Sequence, residues 1–231
     1  MANTHFWKGG FSLMTKKHLP LLLILILCTP IYSQDQGVAP ILENLKTKWK
    51  SVYDYSCQMQ SLNRLGQEVD KKKLDFSFQR PHKVRMEVLD GPKKGSVIVR
   101  TAEEKIRAKK GGILGVVAVT LDENDERVTN LRGRKFYEAD WGSVIAEWLI
   151  AAKNGWAMER LPDENYNNQP CQVLLAHWKD PRSSITEDKI WVNQDHLIVR
   201  RQQFEGQTLV NEVIWWNIQV NPKLDPGLFD L

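Results

Sequence analysis

Residues 74–101 read LDFSFQRPHKVRMEVLDGPKKGSVIVRT, and the alternation in this stretch decides the fold. Leu74, Phe76 and Phe78 alternate with Asp75, Ser77 and Gln79. Val84, Met86 and Val88 alternate with Arg85 and Glu87, and Val97 and Val99 follow in a third run. A period of two marks strands with one apolar and one wet face. The breaks at Arg80-Pro81-His82 and at Asp90 to Gly95 are too short for a crossover helix and rich in turn formers, so the strands run antiparallel. The result is a meander of a one-sided sheet. Its apolar face must be covered by the chain itself or by a ligand, and which of the two covers it is the functional question.

Upstream, Tyr53, Tyr55, Cys57, Met59 and Ser61 alternate as a first strand, and Asn63-Arg64-Leu65-Gly66 turns the chain into a second strand that runs through Phe78. Before them, Pro40 opens a short amphipathic helix. Ile41, Leu42, Leu45, Trp49 and Val52 fall on one side, with Glu43, Lys46, Lys48 and Lys50 on the other.

Downstream, Lys105 to Lys110 is a short polar strand, and Val116 to Leu121 a nearly all-apolar one. Between them lies the flexible segment Gly111 to Gly115. Its Ile113 and Leu114 have two readings: tucked under a loop, or an apolar tip that meets lipid or a partner. Asp122 to Glu126 is an acidic turn, since it lacks the central glycine and distal glutamate of a calcium loop. A second helix is capped by Asp140, repeats Trp141, Val144, Ile145, Trp148 and Leu149 at helical spacing, and closes at Lys153-Asn154-Gly155. Such a greasy face suits a lid over an apolar trough. Strands are then expected at Trp156–Leu161, Cys171–Trp178, Ile185–Val192, Leu197–Phe204 and Thr208–Val220, with a polar loop over Pro162–Pro170.

The inventory predicts an α+β, mainly antiparallel β fold: a strongly curved sheet or incomplete β-barrel covered by helices.

The segment up to Ser33 has the order of a secretory signal. Basic Lys16-Lys17-His18 precede the uncharged run Leu19–Leu27, and Ile31-Tyr32-Ser33 offers a small residue at the cut. The run is too short to span a bilayer as a helix. Removing residues 1–33 takes Lys8, Lys16 and Lys17 from the 32 basic side chains and none from the 28 acidic ones. The remainder, 34–231, is then nearly neutral and is read as one domain exported to the periplasm, with no electrostatic case for nucleic acid. Basic clusters at Lys71–Lys73, Lys93-Lys94 and Lys109-Lys110 fall at strand edges and turns, and are read as solvated edges that discourage strange pairings.

Cys57 and Cys171 survive processing, and the sequence leaves two states open for them: one long-range disulfide or two buried thiols.

Chemistry is sparse. There is no phosphate loop, GxSxG, CxxC or HExxH, and His82, His177 and His196 are widely spaced. No metal site, cofactor or catalytic residue is nominated, and the expectation is not an enzyme. What remains is the aromatic and aliphatic wealth of the strand faces and the second helix. The candidate cavity and lid residues are Phe76, Phe78, Met86, Val88, Trp141, Ile145, Trp148, Trp191, Trp215 and Ile218. Trp215 and Trp216 are adjacent and must point to opposite sides of their strand, so at least one is covered.

An exported chain with an N-terminal helix, the meander RPHKVRMEVLDGPKKGSVIV, a helix interrupting the strands and the ending WNIQVNPKLDPGLFDL resembles the periplasmic lipoprotein-carrier superfamily of LolA and LolB. The middle, from Phe78 to about Trp148, is similar to a LolA-like family described only as a domain of unknown function. The resemblance implies an incomplete barrel whose cavity, lidded by helices, shelters acyl chains of lipoproteins or lipids, in company with inner- or outer-membrane lipoprotein-sorting proteins. Cys28 follows Leu27 where a lipobox has a small residue, which argues against a membrane-anchored acceptor of the LolB kind. Arg64, Arg80 and Arg85 receive no role. Folds of this group also serve as envelope-stress sensors, so the alternative is a regulatory or assembly module that acts through a protein interface.

Overall fold

The computed structural model describes residues 37–112, 117–180 and 183–231. The expected signal segment, together with Ile113 and Leu114, lies outside the described residues.

Eleven antiparallel strands form one sheet: β1 Asp54–Leu65, β2 Glu68–Gln79, β3 Lys83–Asp90, β4 Val97–Arg100, β5 Ile106–Lys109, β6 Val119–Leu121, β7 Met158–Tyr166, β8 Gln169–His177, β9 Glu187–Val192, β10 Ile198–Glu205 and β11 Thr208–Val220. Their spatial order is β6-β5-β4-β3-β2-β1-β11-β10-β9-β8-β7. Each strand pairs with its sequence neighbour except at two places. β6 and β7 are the open edges, and β1 meets β11 at the centre. Bulges on the β1/β11, β9/β10 and β10/β11 ladders let the sheet curl. The curved open sheet expected from the alternation is the fold observed.

Two α-helices, α1 Val38–Ser51 and α2 Trp141–Lys153, occupy the concave side. α2 begins where the sequence places it, because the Asp140 carboxylate accepts hydrogen bonds from the Ser143 amide at 3.2 Å and its hydroxyl at 2.5 Å. α1 buries Ile41, Leu42 and Leu45. Its C-terminus is held by Arg80, which donates to the carbonyls of Val52 and Trp49 at 2.6 and 2.7 Å and lies 4.8 Å from the Trp49 ring centre.

The terminal segment closes the joint between α1 and β1. Asn221 accepts from the Tyr53 amide at 2.7 Å and donates to the Ser51 carbonyl at 2.9 Å. The buried Asp54 carboxylate accepts from the Leu224 amide at 2.8 Å. The tail then lays Phe229 into a buried site on the convex face, with Lys83 5.1 Å from its ring centre.

One stretch corrects the sequence reading. The polar loop expected over Pro162–Pro170 is the tip of a hairpin, with β7 and β8 joined at Asn167-Asn168, both at positive φ (50° and 58°). Asparagine tolerates that conformation, and two such residues in succession make a tight hairpin turn. Pro162 is accommodated because β7 is an edge strand with a register shift between Leu161 and Glu164.

Candidate functional site

The concave face is divided. On one side, under α1 and α2, aromatic rings fill the space. Tyr55 stacks on Trp141 with ring centres 4.1 Å apart, and lies 5.5 and 5.8 Å from Phe78 and Phe76. The Trp141 indole donates to the Ile198 carbonyl at 3.1 Å, and the Tyr55 hydroxyl accepts from the Trp141 amide at 3.3 Å. Burial, with the nearby Asp140 charge adding to it, pushes the Tyr55 phenol well above its ordinary pKa. The gap left between α1, α2 and β10 has a volume of about 10 Å³, room for a single water.

On the other side the sheet stands clear of its cover and borders a half-open cavity of about 710 Å³. Small-molecule sites commonly measure about 300–1,000 Å³. Its walls are Met59, Leu74, Met86, Val88, Ile98 and Trp215, inward-facing positions on adjacent strands. The register explains the continuity: Met59 pairs with Leu74 on one side and Trp215 on the other, Leu74 with Val88, and Met86 with Ile98. A one-sided strand pattern carried across such pairings makes one apolar floor. Trp215 is 2% exposed, and its indole nitrogen has no hydrogen-bond partner among the described residues.

The roof is the connection between β6 and α2. It carries two short 3-10 turns, Glu126–Val128 and Phe136–Ala139, whose Val128 and Phe136 face the cavity. Polar bonds tie this roof to the sheet. Asn63 accepts from Asn130 at 2.7 Å and from Asn211 at 2.9 Å, and Arg132 reaches both the Arg64 carbonyl and Glu205. A buried charge network ties the roof to α2 and the far strands. Arg201, 2% exposed, contacts Asp188 at 2.5 Å and Glu147 at 2.6 Å, and Arg134 contacts Glu147 at 2.8 Å. Burial alone would pull the Arg201 guanidinium down, but the Asp188 and Glu147 charges hold it above its ordinary value. Burial opposes the ionised form of Glu147 as well, yet Arg201 and Arg134 keep that carboxyl below the usual range.

Of the ten residues picked from sequence, Met86, Val88 and Trp215 line this cavity. Phe76, Phe78, Trp141, Ile145 and Trp148 sit in the filled part of the core, and Ile218 packs half-buried against it. Trp191 is elsewhere. It belongs to a small cluster with Cys171, Val173 and Val199 on the convex face, where its indole donates to Glu164 at 2.8 Å. Trp216 also points outward and donates to Gln58 at 2.8 Å. Cys57 and Cys171 are free thiols, one in the main core and one in the convex cluster, so the sheet lies between them and no bridge joins them. Burial raises both thiols above their ordinary pKa. The residues sequence reasoning missed are the cavity's small and flexible ones, Met59, Leu74, Ile98 and Ala108, together with the polar ties of the roof. The strand alternation already placed Met59 and Leu74 on the inward face.

No group of His, Cys, Asp and Glu among the described residues is placed to hold a metal ion, and no described helix is long and apolar enough to cross a membrane. No protein-family model matches the sequence, and no curated protein matches it significantly. Solved structures do match. The lipoprotein LppX from Mycobacterium tuberculosis is 9% identical over 83% of this chain and 98% of that one, with a TM-score of 0.54. LprF from Mycobacterium bovis is 12% identical over 81% and 95%, with a TM-score of 0.48. A LolA superfamily protein from Nitrosomonas europaea is 11% identical over 84% and 97%, with a TM-score of 0.37. The first of these carries the comparison, and at such identity it is a likeness of architecture alone. At that level the chain shares the fold of LppX, an open, curved antiparallel sheet covered by helices.

Proposed function

We propose that this protein is a periplasmic carrier that shelters an acyl chain of a lipoprotein or lipid in the cavity between β1–β6, β11 and the roof, with no covalent chemistry. The observation that supports this reading is the 710 Å³ hollow with an apolar floor, left open in a core that is otherwise closely filled. Each methylene moved from water into it contributes about 0.8 kcal/mol, so even a partly sheltered chain gains several kcal/mol. Such binding is non-directional and tolerant of chain identity, which suits a carrier. Export on the segment 1–33, cleavage after Ser33 and a soluble mature domain over 34–231 belong to the same proposal. So does exchange of cargo with lipoprotein-sorting proteins of either membrane.

The test is native mass spectrometry of protein recovered from its own periplasm, with a fluorescent acyl probe as the quantitative arm. The expected result is a lipid or lipopeptide adduct, and loss of probe binding in a folded Met86→Asp variant, because the new carboxylate would sit on the cavity wall. A protein free of adducts that also ignores the probe would reject the carrier reading. Capture of a stoichiometric protein partner by that same lipid-free protein would favour a regulatory module instead.

A further inference from the structure

Two basic clusters that are separate in sequence meet at the mouth of the cavity. Lys93 and Lys94 lie in the turn between β3 and β4, Lys109 ends β5 and Lys110 follows it, yet all four are among the residues that line the cavity. The pairing of Val97 with Lys109 brings the two segments side by side. A contact of glycine backbones then locks them together. A Cβ on Gly111 would lie 2.3 Å from the Lys94 carbonyl oxygen and 2.7 Å from the Gly95 Cα, so only glycine permits the approach.

The charge there is one-sided. Among the described residues lining the cavity there is no carboxylate. The other cations on its wall are already engaged: Lys72 with Asp70, Arg127 with Asp125, Arg134 and Arg201 with Glu147, and Lys135 with the Glu123 carbonyl. Lys93, Lys94, Lys109 and Lys110 form no ion pair among the described residues, although the Lys93 charge reaches Asp125 and helps to hold its carboxyl down. Four cations along one cavity that has no carboxylate among its described lining residues favour an anion there. An apolar hollow with such a rim is complementary to one chemical shape, an amphiphile with a hydrocarbon tail and an anionic head.

Building on the carrier reading, we infer that the ligand is an anionic lipid, its tail in the cavity and its carboxylate or phosphate held at the mouth by Lys93, Lys94, Lys109 and Lys110. Lysine fits this task as a mobile point charge that needs no fixed bidentate geometry. The rim therefore selects for headgroup charge while the hollow remains indifferent to the tail.

The experiment compares two palmitoyl lysolipids, lysophosphatidylglycerol and lysophosphatidylcholine, by calorimetry below their micellar concentrations. The proteins are the wild type and the variant Lys93→Gln/Lys94→Gln/Lys109→Gln/Lys110→Gln. The expected result is about a tenfold preference for the anionic lipid in the wild type, the size set by a few solvent-screened charge pairs. That preference should shrink at high salt and vanish in the variant, with affinity for the zwitterionic lipid and the melting temperature both unchanged. A wild type without preference, or a variant that keeps it, overturns the inference and leaves the carrier reading standing. Binding of neither lipid defeats both. Loss by the variant of association with phosphatidylglycerol vesicles, with the lysolipid preference intact, would assign the lysines to docking on a membrane surface and likewise overturn the inference.

Discussion

The two sides of the concave face use the same strands for opposite ends. Under α1 and α2, Tyr55, Phe76, Phe78 and Trp141 meet ring against ring and leave room for no more than a single water. A few residues along the same ladders, Met59, Leu74, Met86 and Val88 face a hollow instead. The difference lies in side-chain bulk and in what covers it. An amphipathic helix drops large side chains into the trough, whereas the β6–α2 connection spans it on polar ties at its far end. Apolar content alone does not tell a core from a binding site. The residues opposite decide.

The contrast can be broken most severely at Arg201, which ties both sides to β9. Arg201→Met leaves Asp188 buried without its cation, and the expected loss is about 3–5 kcal/mol in denaturant unfolding. Replacing the carboxylate too, in Arg201→Met/Asp188→Leu, should recover most of it. If the single variant unfolds like wild type, the network is not what joins the two sides.

Truncations of matched residues sharpen the comparison. Phe76→Ala should cost about 3–5 kcal/mol, since it opens a void in a filled region. Met86→Ala, half-buried on the wall of an existing cavity, should cost about 1 kcal/mol or less. Equal losses would mean that the cavity wall is packed as tightly as the helix-covered side.

The smallest effect is the pH dependence of Glu147. Its folded pKa is depressed by Arg201 and Arg134, so its contribution is fully present above the unfolded value of about 4.3 and is lost as pH falls through the folded value. Melting curves of wild type and Glu147→Gln should therefore differ at neutral pH and draw together only as pH falls below the unfolded value and through the depressed folded one. Asp188, raised by burial and further by the Glu147 charge, acts in the opposite sense, and Glu147→Gln removes that second push.

Much of the scaffold was legible. The alternation over 74–101 gave the meander, the Asp140 cap set the start of α2, and β11 spans the expected Thr208–Val220. The site was less so, because bulk misleads. Trp141 and Phe78 draw attention by their size, and size is what lets them fill their surroundings. The β9 run KIWV is apolar on both faces, so nothing in its pattern reveals that Trp191 belongs to the convex cluster. The Asn167-Asn168 turn was readable in principle from asparagine's tolerance of positive φ, but the flanking Pro162 and Pro170 read as a loop. The gathering of Lys93, Lys94, Lys109 and Lys110 depends on which strands pair, and pairing is a property of the whole chain.

The central ladder joins the first strand to the last. β1 leaves the growing chain early, but its partner on that side is not synthesised until Thr208–Val220, and the Asn221 and Asp54 clasps wait longer still. No intermediate with a finished middle can therefore form before residues 208–220 are made, and the sequence separation of that ladder slows the search for it. The middle of the sheet is thus the last part of it that can be completed, whatever the order in which the outer hairpins form.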